Sequence, residues 1–314
     1  MEKICHDFHQ TLIRHGKDKR TCNSYRNSTI EFLTVCEITD ISQLKLNNVI
    51  DYDKFFLKYL EHASNELNNG YSTLKRKFTA LNKFFSYLVR YGHIATNPVP
   101  GFREWHMDVY KEPDCKTRYL PEPKQVKACL KKSTTIRVFA MHLLFSKTGV
   151  RPCEVLTADI SDFKLDRKVW ELKPHPKRTG RIVPLDKELL IVLKKYFATR
   201  VDDNPALFLG PHGKRIHKDR LRLEMRSAFY ANGMYVDGGE LNERMTPYCY
   251  RHFQNTQLDL KQMPRGILKE IRGDKRESND TAERYIHYNE KNLVKVNSKY
   301  TFSLLGKTVK VPKY

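Results

Sequence analysis

No stretch of this 314-residue chain reaches the roughly 20 consecutive apolar residues that a membrane-spanning helix needs, and the run from Met1 to His6 has no apolar leader core. A cytoplasmic protein without a membrane partner is the expectation. Cysteine frameworks are missing as well. The seven cysteines, at 5, 22, 36, 115, 129, 153 and 249, are odd in number and include no CxxC pair, so neither a disulfide scaffold nor a metal site is suggested. There is no internal repeat or low-complexity tract, which excludes a solenoid. Acidic residues are scarce, 36 against 57 lysines and arginines, and the resulting charge of +21 argues against an acidic metabolite as substrate. It favours a polyanion, nucleic acid foremost.

What is present suffices for a real core: 40% hydrophobic and 11% aromatic residues, in a chain long enough for two domains. Only 15 of the basic and 12 of the acidic residues precede residue 111, so +18 of the charge lies in the second part. Asn97-Pro98-Val99-Pro100-Gly101 reads as a helix stop, and the polar run from Lys111 to Lys116 contains Pro113 and no apolar period. The break is placed at 106–117. Before it, Leu74, Phe78, Leu81, Phe84, Phe85 and Leu88 recur at helical spacing, as do Phe55, Phe56, Tyr59 and Leu60, so the first part reads as all-helical. After it, helices are expected over 122–131 and 135–147. Short alternating segments at 162–165, 169–172 and 181–185 suggest a small antiparallel sheet, and helices resume at Lys187. Residues 299–314 read as basic and partly β-like.

Breaking a phosphodiester without a metal takes a nucleophile, cations for the two non-bridging oxygens, and an acid for the leaving oxygen. A tyrosine, two arginines and a lysine supply all of these. Arginine suits the oxygens because its planar fork stays charged, and lysine suits the acid because it can lose a proton. Four clusters hold such residues. In Thr148-Gly149-Val150-Arg151-Pro152-Cys153-Glu154 one helix ends at Gly149 and another begins; alone, Arg151 reads as a solvated arginine after a glycine cap. Lys173 to Leu185 reads as a hairpin with a basic tip, and alone it fits a loop touching a polyanion backbone. In Thr246-Pro247-Tyr248-Cys249-Tyr250-Arg251-His252-Phe253, Pro247 is placed to open a helix. The fourth runs Ile271-Arg272-Gly273-Asp274-Lys275-Arg276, then Thr281-Ala282-Glu283-Arg284-Tyr285-Ile286-His287, with Asp280 and Glu283 spaced as a capping box.

In this order the four clusters resemble the boxes of the tyrosine recombinase family, the phage-integrase and Xer-type enzymes. The resemblance implies that Arg151 is the first phosphate-binding arginine and Glu154 its supporting acid, and that Arg251 is the second arginine with His252 beside it. Lys177 is implied as general acid, with Lys173 or Arg178 as alternatives, because Lys177 sits four residues before Arg181 where the family usually has five. Tyr248 stands where the family usually has histidine. A phenol still hydrogen-bonds a phosphate oxygen, but it ordinarily titrates near pH 10 and is no acid-base at neutrality. Archaeal members carry tyrosine or lysine there, which tilts the origin toward an archaeon or its virus. The register of Thr281, Tyr285 and His287 implies Tyr285 as nucleophile ahead of Tyr288. Asp274 follows the glycine where the family has histidine, and Lys275 or Arg276 is the candidate replacement donor.

The resemblance covers residues 1–300 and implies a mainly α fold with a small antiparallel β-sheet, as a two-domain clamp. A helical core-binding domain at 1–105 and a linker at 106–117 precede a mixed α/β catalytic domain at 118–290, and a tail at 291–314 is available for exchange between subunits. The implied partner is double-stranded DNA carrying specific recombination sites, bound by a dimer on each site and a tetramer in synapsis. The implied chemistry is strand cleavage and rejoining through a 3′-phosphotyrosine, needing no cofactor, metal or nucleotide. Two alternatives stand beside it: a cleavage-deficient DNA-binding protein on the same scaffold, suggested by Tyr248 and Asp274, and a type IB topoisomerase.

Overall fold

The computed structural model describes residues 1–46, 48–107, 110, 118–174, 180–274, 288–306 and 310–312. The chain divides into two compact units, Met1–Cys115 and Lys116–Tyr314.

The first unit is built from helices α1 (Glu2–Arg14), α2 (Lys19–Val35), α3 (Val49–Glu61), α4 (Tyr71–Arg90) and α5 (Val99–His106). Asp18 caps α2 by accepting from the Thr21 N–H at 3.0 Å, and Asn48 caps α3 from Ile50 at 3.1 Å. The apolar stripe of α4 is wholly buried, and its Phe78 ring stacks on Phe102 of α5 with centroids 5.3 Å apart. The proline-rich stretch at 97–101 therefore starts a helix, where the sequence reading made it only a stop. Pro98 is the N-cap of α5 and Pro100 lies in its first turn, where a missing N–H costs nothing. The Asn97 side chain secures the turn by accepting from Val99 N at 3.1 Å and donating to Asn82 Oδ1 at 2.7 Å.

The second unit comprises α6 (Pro123–Lys131), α7 (Ile136–Thr148), α8 (Pro152–Thr157), strands β1 (Phe163–Lys164), β2 (Val169–Leu172) and β3 (Arg181–Pro184), then α9 (Lys187–Ala198), α10 (Lys218–Tyr230), α11 (Cys249–Leu260), α12 (Arg265–Arg272) and α13 (Glu290–Tyr300). The protein is thus mainly α with one antiparallel sheet in the order β1-β2-β3, with Phe163 opposite Trp170 and Trp170 opposite Val183. Helix α7 is the axis of this unit, buried on almost every face and packed by α6, α9, α10 and α11. Ser146, Lys147 and Thr148 on its buried faces are all paired, and of the His142 ring nitrogens only Nδ1 has a partner among the described residues, Nε2 having none. His142 Nδ1 lies 2.8 Å from the Tyr250 hydroxyl, and complete burial pushes the imidazole down to about 3, so it is neutral.

Lys147, near the C-terminal end of α7, is buried between Asp186 at 2.6 Å and Glu188 at 2.7 Å, and its ammonium also bonds the carbonyl of Phe302. Beyond Tyr300 the described chain is irregular, whereas the sequence reading made 299–314 partly β-like. Its polar groups are satisfied by side chains instead of a strand partner: Glu188 accepts from Ser303 Oγ at 2.6 Å and from the Leu304 and Leu305 N–H groups at 2.9 and 3.2 Å. No helix among the described residues is long and apolar enough to cross a membrane.

Candidate active site

Three helix ends in the second unit meet at one point. Helix α7 stops at Gly149, whose φ of +59° favours glycine and whose absent Cβ would lie 2.6 Å from Gln254 Oε1. The chain turns there into α8, with Arg151 extended at its N-cap and Glu154 accepting the Arg151 N–H at 2.6 Å. Helix α11 carries Arg251 on its buried side. Helix α12 ends at Gly273, with φ +61°, and directs its last carbonyls into the gap.

Those carbonyls have no partner within the helix and sit at its partially negative end, so they are matched to cations. The Arg272 carbonyl accepts from Arg151 Nη1 at 3.1 Å and from Arg251 Nη2 at 3.0 Å, and the Ile271 carbonyl accepts from Arg181 Nε at 2.8 Å. Arg251 Nη1 also donates to the Gly149 carbonyl at 2.9 Å. Arg181 runs so close to Gly273 that a Cβ there would meet its Cδ at 2.8 Å. Its guanidinium is paired with Glu154 at 2.7 and 3.1 Å.

Asp274 completes the cluster. Its Oδ1 accepts from Arg251 Nη2 at 2.7 Å and Arg151 Nη2 at 3.2 Å, and its Oδ2 lies 3.0 Å from Arg272 Nε. Arg251 is the deepest of these groups, its side chain 3% exposed, against 14% for Arg151. Burial and then the Arg151 charge push the Arg251 guanidinium down to about 10, against the pull of Asp274, so it remains a cation at neutral pH. Burial works to raise the Glu154 carboxyl, but the Arg181 hydrogen bond and charge, with the Arg151 N–H and charge, hold it below its ordinary value. His252 is lowered by burial and by Arg118, Arg272 and Arg251, which leaves its ring uncharged near neutrality.

Tyr248 sits at the N-cap of α11, half-exposed, with the Arg118 guanidinium 5.1 Å above its ring and the His252 ring 5.6 Å away. It borders a cleft of about 860 Å³ whose rim includes Arg118, Arg222, Arg226 and Arg244. The sequence reading missed these four arginines, and also the roles of Arg181 and Arg272. For two of the four a signal was available: Arg222 and Arg226 stand four residues apart and so share one side of a helix.

The structure therefore brings together Arg151, Arg251, Glu154 and Asp274, with Tyr248 and His252 neighbouring each other on α11. Lys177, Lys275 and Tyr285 lie outside the described residues, as do Arg178, Arg276, Thr281, His287 and the capping pair Asp280 and Glu283. Lys173, the alternative acid, is paired with Asp159 and, at 3.1 Å, with Asp162. The hydroxyl of Tyr288 sits against Gly266, where a Cβ would lie 2.7 Å from it. That is the start of α12, about 9 Å of helix from the end where the arginines meet.

The Phage integrase family profile matches residues 122–292. Tyrosine recombinase XerC of Thermodesulfovibrio yellowstonii is 25% identical over 305 residues, covering 91% of this chain and 92% of the relative. Tyrosine recombinase XerA of Pyrococcus horikoshii is 23% identical over 253 residues, covering 77% of this chain and 83% of the relative. Among solved structures, a lambda integrase dimer bound to a COC′ core site matches with a TM-score of 0.68 at 14% identity, over 89% of this chain and 97% of that one. At that identity the likeness speaks to the fold. The profile match spans more than half of the chain and takes in both of the arginines that converge at the end of α12, so this protein belongs to the phage integrase family of tyrosine recombinases.

Proposed function

We propose that the protein is a site-specific DNA recombinase that cleaves and rejoins strands through a tyrosine. In this reading the Tyr285 oxygen attacks the scissile phosphorus, and the bond from phosphorus to the 5′-oxygen breaks. Arg151 and Arg251 neutralise the non-bridging oxygens, and Lys177 delivers a proton to the departing 5′-oxygen, which leaves as a hydroxyl. The 3′-phosphotyrosine keeps the bond energy, and a second 5′-hydroxyl reverses the attack. Tyr248 offers its hydroxyl to a phosphate oxygen. Glu154 acts through Arg181 and the Arg151 N–H, as a positioning residue.

The observation that carries this reading is the convergence of Arg151 and Arg251 on one oxygen, Asp274 Oδ1, beside a carbonyl they share. Two guanidinium forks converging on one anionic group are suited to the two non-bridging oxygens of a phosphodiester. The charge of +21 supports duplex DNA as the partner, with the helical unit before residue 106 as a second DNA-gripping body. Assembly as a dimer on a site and a tetramer in synapsis is supported by lambda integrase, whose structures include a dimer on a core site and a tetramer on a Holliday junction.

The test is covalent trapping. The full chain is incubated with a library of nicked duplexes of randomised sequence, denatured, and examined for protein-linked DNA. Wild type is expected to yield an adduct and Tyr285→Phe none; an adduct in the variant moves the nucleophile elsewhere. Wild type without any adduct, but binding duplex in a salt-sensitive way, identifies a DNA-binding protein that has lost cleavage.

A further inference from the structure

Asp274 occupies a position where a donor is expected, yet an ionised carboxylate can only accept. Its surroundings explain what it accepts. Arg251 Nη2 and Arg151 Nη2 reach the same oxygen, at 2.7 and 3.2 Å, while Arg272 Nε stands 3.0 Å from the other. To a guanidinium, a carboxylate and a phosphodiester look alike: each presents two oxygens sharing one negative charge. The Arg251 side chain is 3% exposed, and a cation so far from water needs an anion beside it whether or not substrate is present.

We propose that Asp274 is a positioning residue whose carboxylate stands in for a phosphate oxygen, holding Arg151 and Arg251 converged until a scissile phosphate takes its place. The inference rests on reading that arginine pair as the phosphate cradle. Carboxylate and phosphodiester carry the same sign, so they do not share the two Nη2 atoms; as the phosphate enters, Asp274 turns away. The structure provides the exit. Asp274 is about one-third exposed, it follows Gly273 in the left-handed region, and its second oxygen already rests on Arg272. Arg272 is itself steadied by Asn255, whose Oδ1 accepts from Nη1 at 2.5 Å. Arg272 is thus the cation that receives the displaced carboxylate, and the cradle exchanges one anion for another without ever holding bare buried charge.

Chemical rescue tests this with inorganic phosphate as the probe. Asp274→Asn keeps the shape and removes the charge. In chloride buffer the variant is expected to melt below wild type. Added phosphate is expected to restore it, with an apparent Kd roughly tenfold or more tighter than wild type shows, while chloride at equal ionic strength does not. Equal melting of variant and wild type in chloride, or equal responses to phosphate and chloride, overturns the proposal. If Asp274→Asn does not fold in chloride, the smaller Asp274→Ser is purified in phosphate. Unfolding on exchange into chloride supports the stand-in, and failure to fold in phosphate overturns it. The outcome is separable from strand cleavage. Phosphate rescue with no wild-type adduct keeps the stand-in and removes the recombinase reading, whereas an adduct without rescue does the reverse.

Discussion

Glu154 holds Arg181 through both of its oxygens, at 2.7 and 3.1 Å, and the two side chains are only 10% and 6% exposed. The pair ties three elements together. Glu154 caps α8 through the Arg151 N–H, Arg181 belongs to β3, and the Arg181 Nε binds the end of α12. Arg151 is therefore aimed by its neighbours: its backbone is fixed by Glu154, and its guanidinium is fixed by a carbonyl whose helix end Arg181 secures. This indirect support is the kind that a charged group buried next to its partner provides, at the cost of desolvating both.

Glu154→Gln keeps an acceptor for the Arg151 N–H but leaves Arg181 buried without its counter-charge, and is expected to destabilise the fold by about 3 kcal/mol at neutral pH. The Glu154 carboxyl is held below its ordinary 4.5 in the folded protein, so its contribution is fully present above 4.5 and is lost as pH falls through the lowered folded value. Urea unfolding of wild type and variant at pH 7 and at successive steps below 4.5 checks this. The difference between them is expected to shrink as the pH falls, and a constant difference contradicts the charge argument.

The helices and the two arginine boxes were readable in the sequence because each rests on a local signal: the period of Leu74 to Leu88, the glycine stop at Gly149, the alternation of 169–172. What sequence could not reveal is where buried charges point. Asp274 looked like a lost donor, because only the fold shows two arginines already reaching for it. The pairing of Lys147 with Asp186 and Glu188 has no local signal, and the reach of Glu188 to Leu304 and Leu305 follows no period at all. The turn at 97–101 was misread because proline stops a helix and starts one with the same residue, and the side-chain bonds of Asn97 that decide between them are tertiary.

Glu188→Ala tests the hold on the segment after α13. It removes acceptors for Ser303 Oγ and for the Leu304 and Leu305 N–H groups while leaving Lys147 paired with Asp186. A loss of about 2 kcal/mol is expected, since hydrogen bonds to a charged group are among the stronger ones but this carboxylate is partly solvated. Hydrogen exchange at Leu304 and Leu305 should rise by roughly tenfold or more, with the amides in the middle of α7 changing only as much as global stability does. Unchanged protection at those two amides means that other contacts hold the segment.

Tyr248 offers the sharpest separation between binding and chemistry, because its ring and its hydroxyl do different things. The ring lies beneath the Arg118 guanidinium and beside His252, and Tyr248→Phe preserves both contacts. If the hydroxyl serves a phosphate oxygen as charge builds, the phenylalanine variant binds duplex as wild type does. Its single-turnover adduct formation falls by about a hundredfold, the usual loss for one such donor. Tyr248→His restores a donor and brings an imidazole that ordinarily titrates near 6.5, so its rate acquires a pH step in that region that the phenylalanine variant lacks. Arg118 and the neighbouring arginines move that step downward, for the same reason that they lower His252. A phenylalanine variant with an undiminished cleavage rate assigns Tyr248 to packing under Arg118, and the donor for that oxygen must then come from another residue.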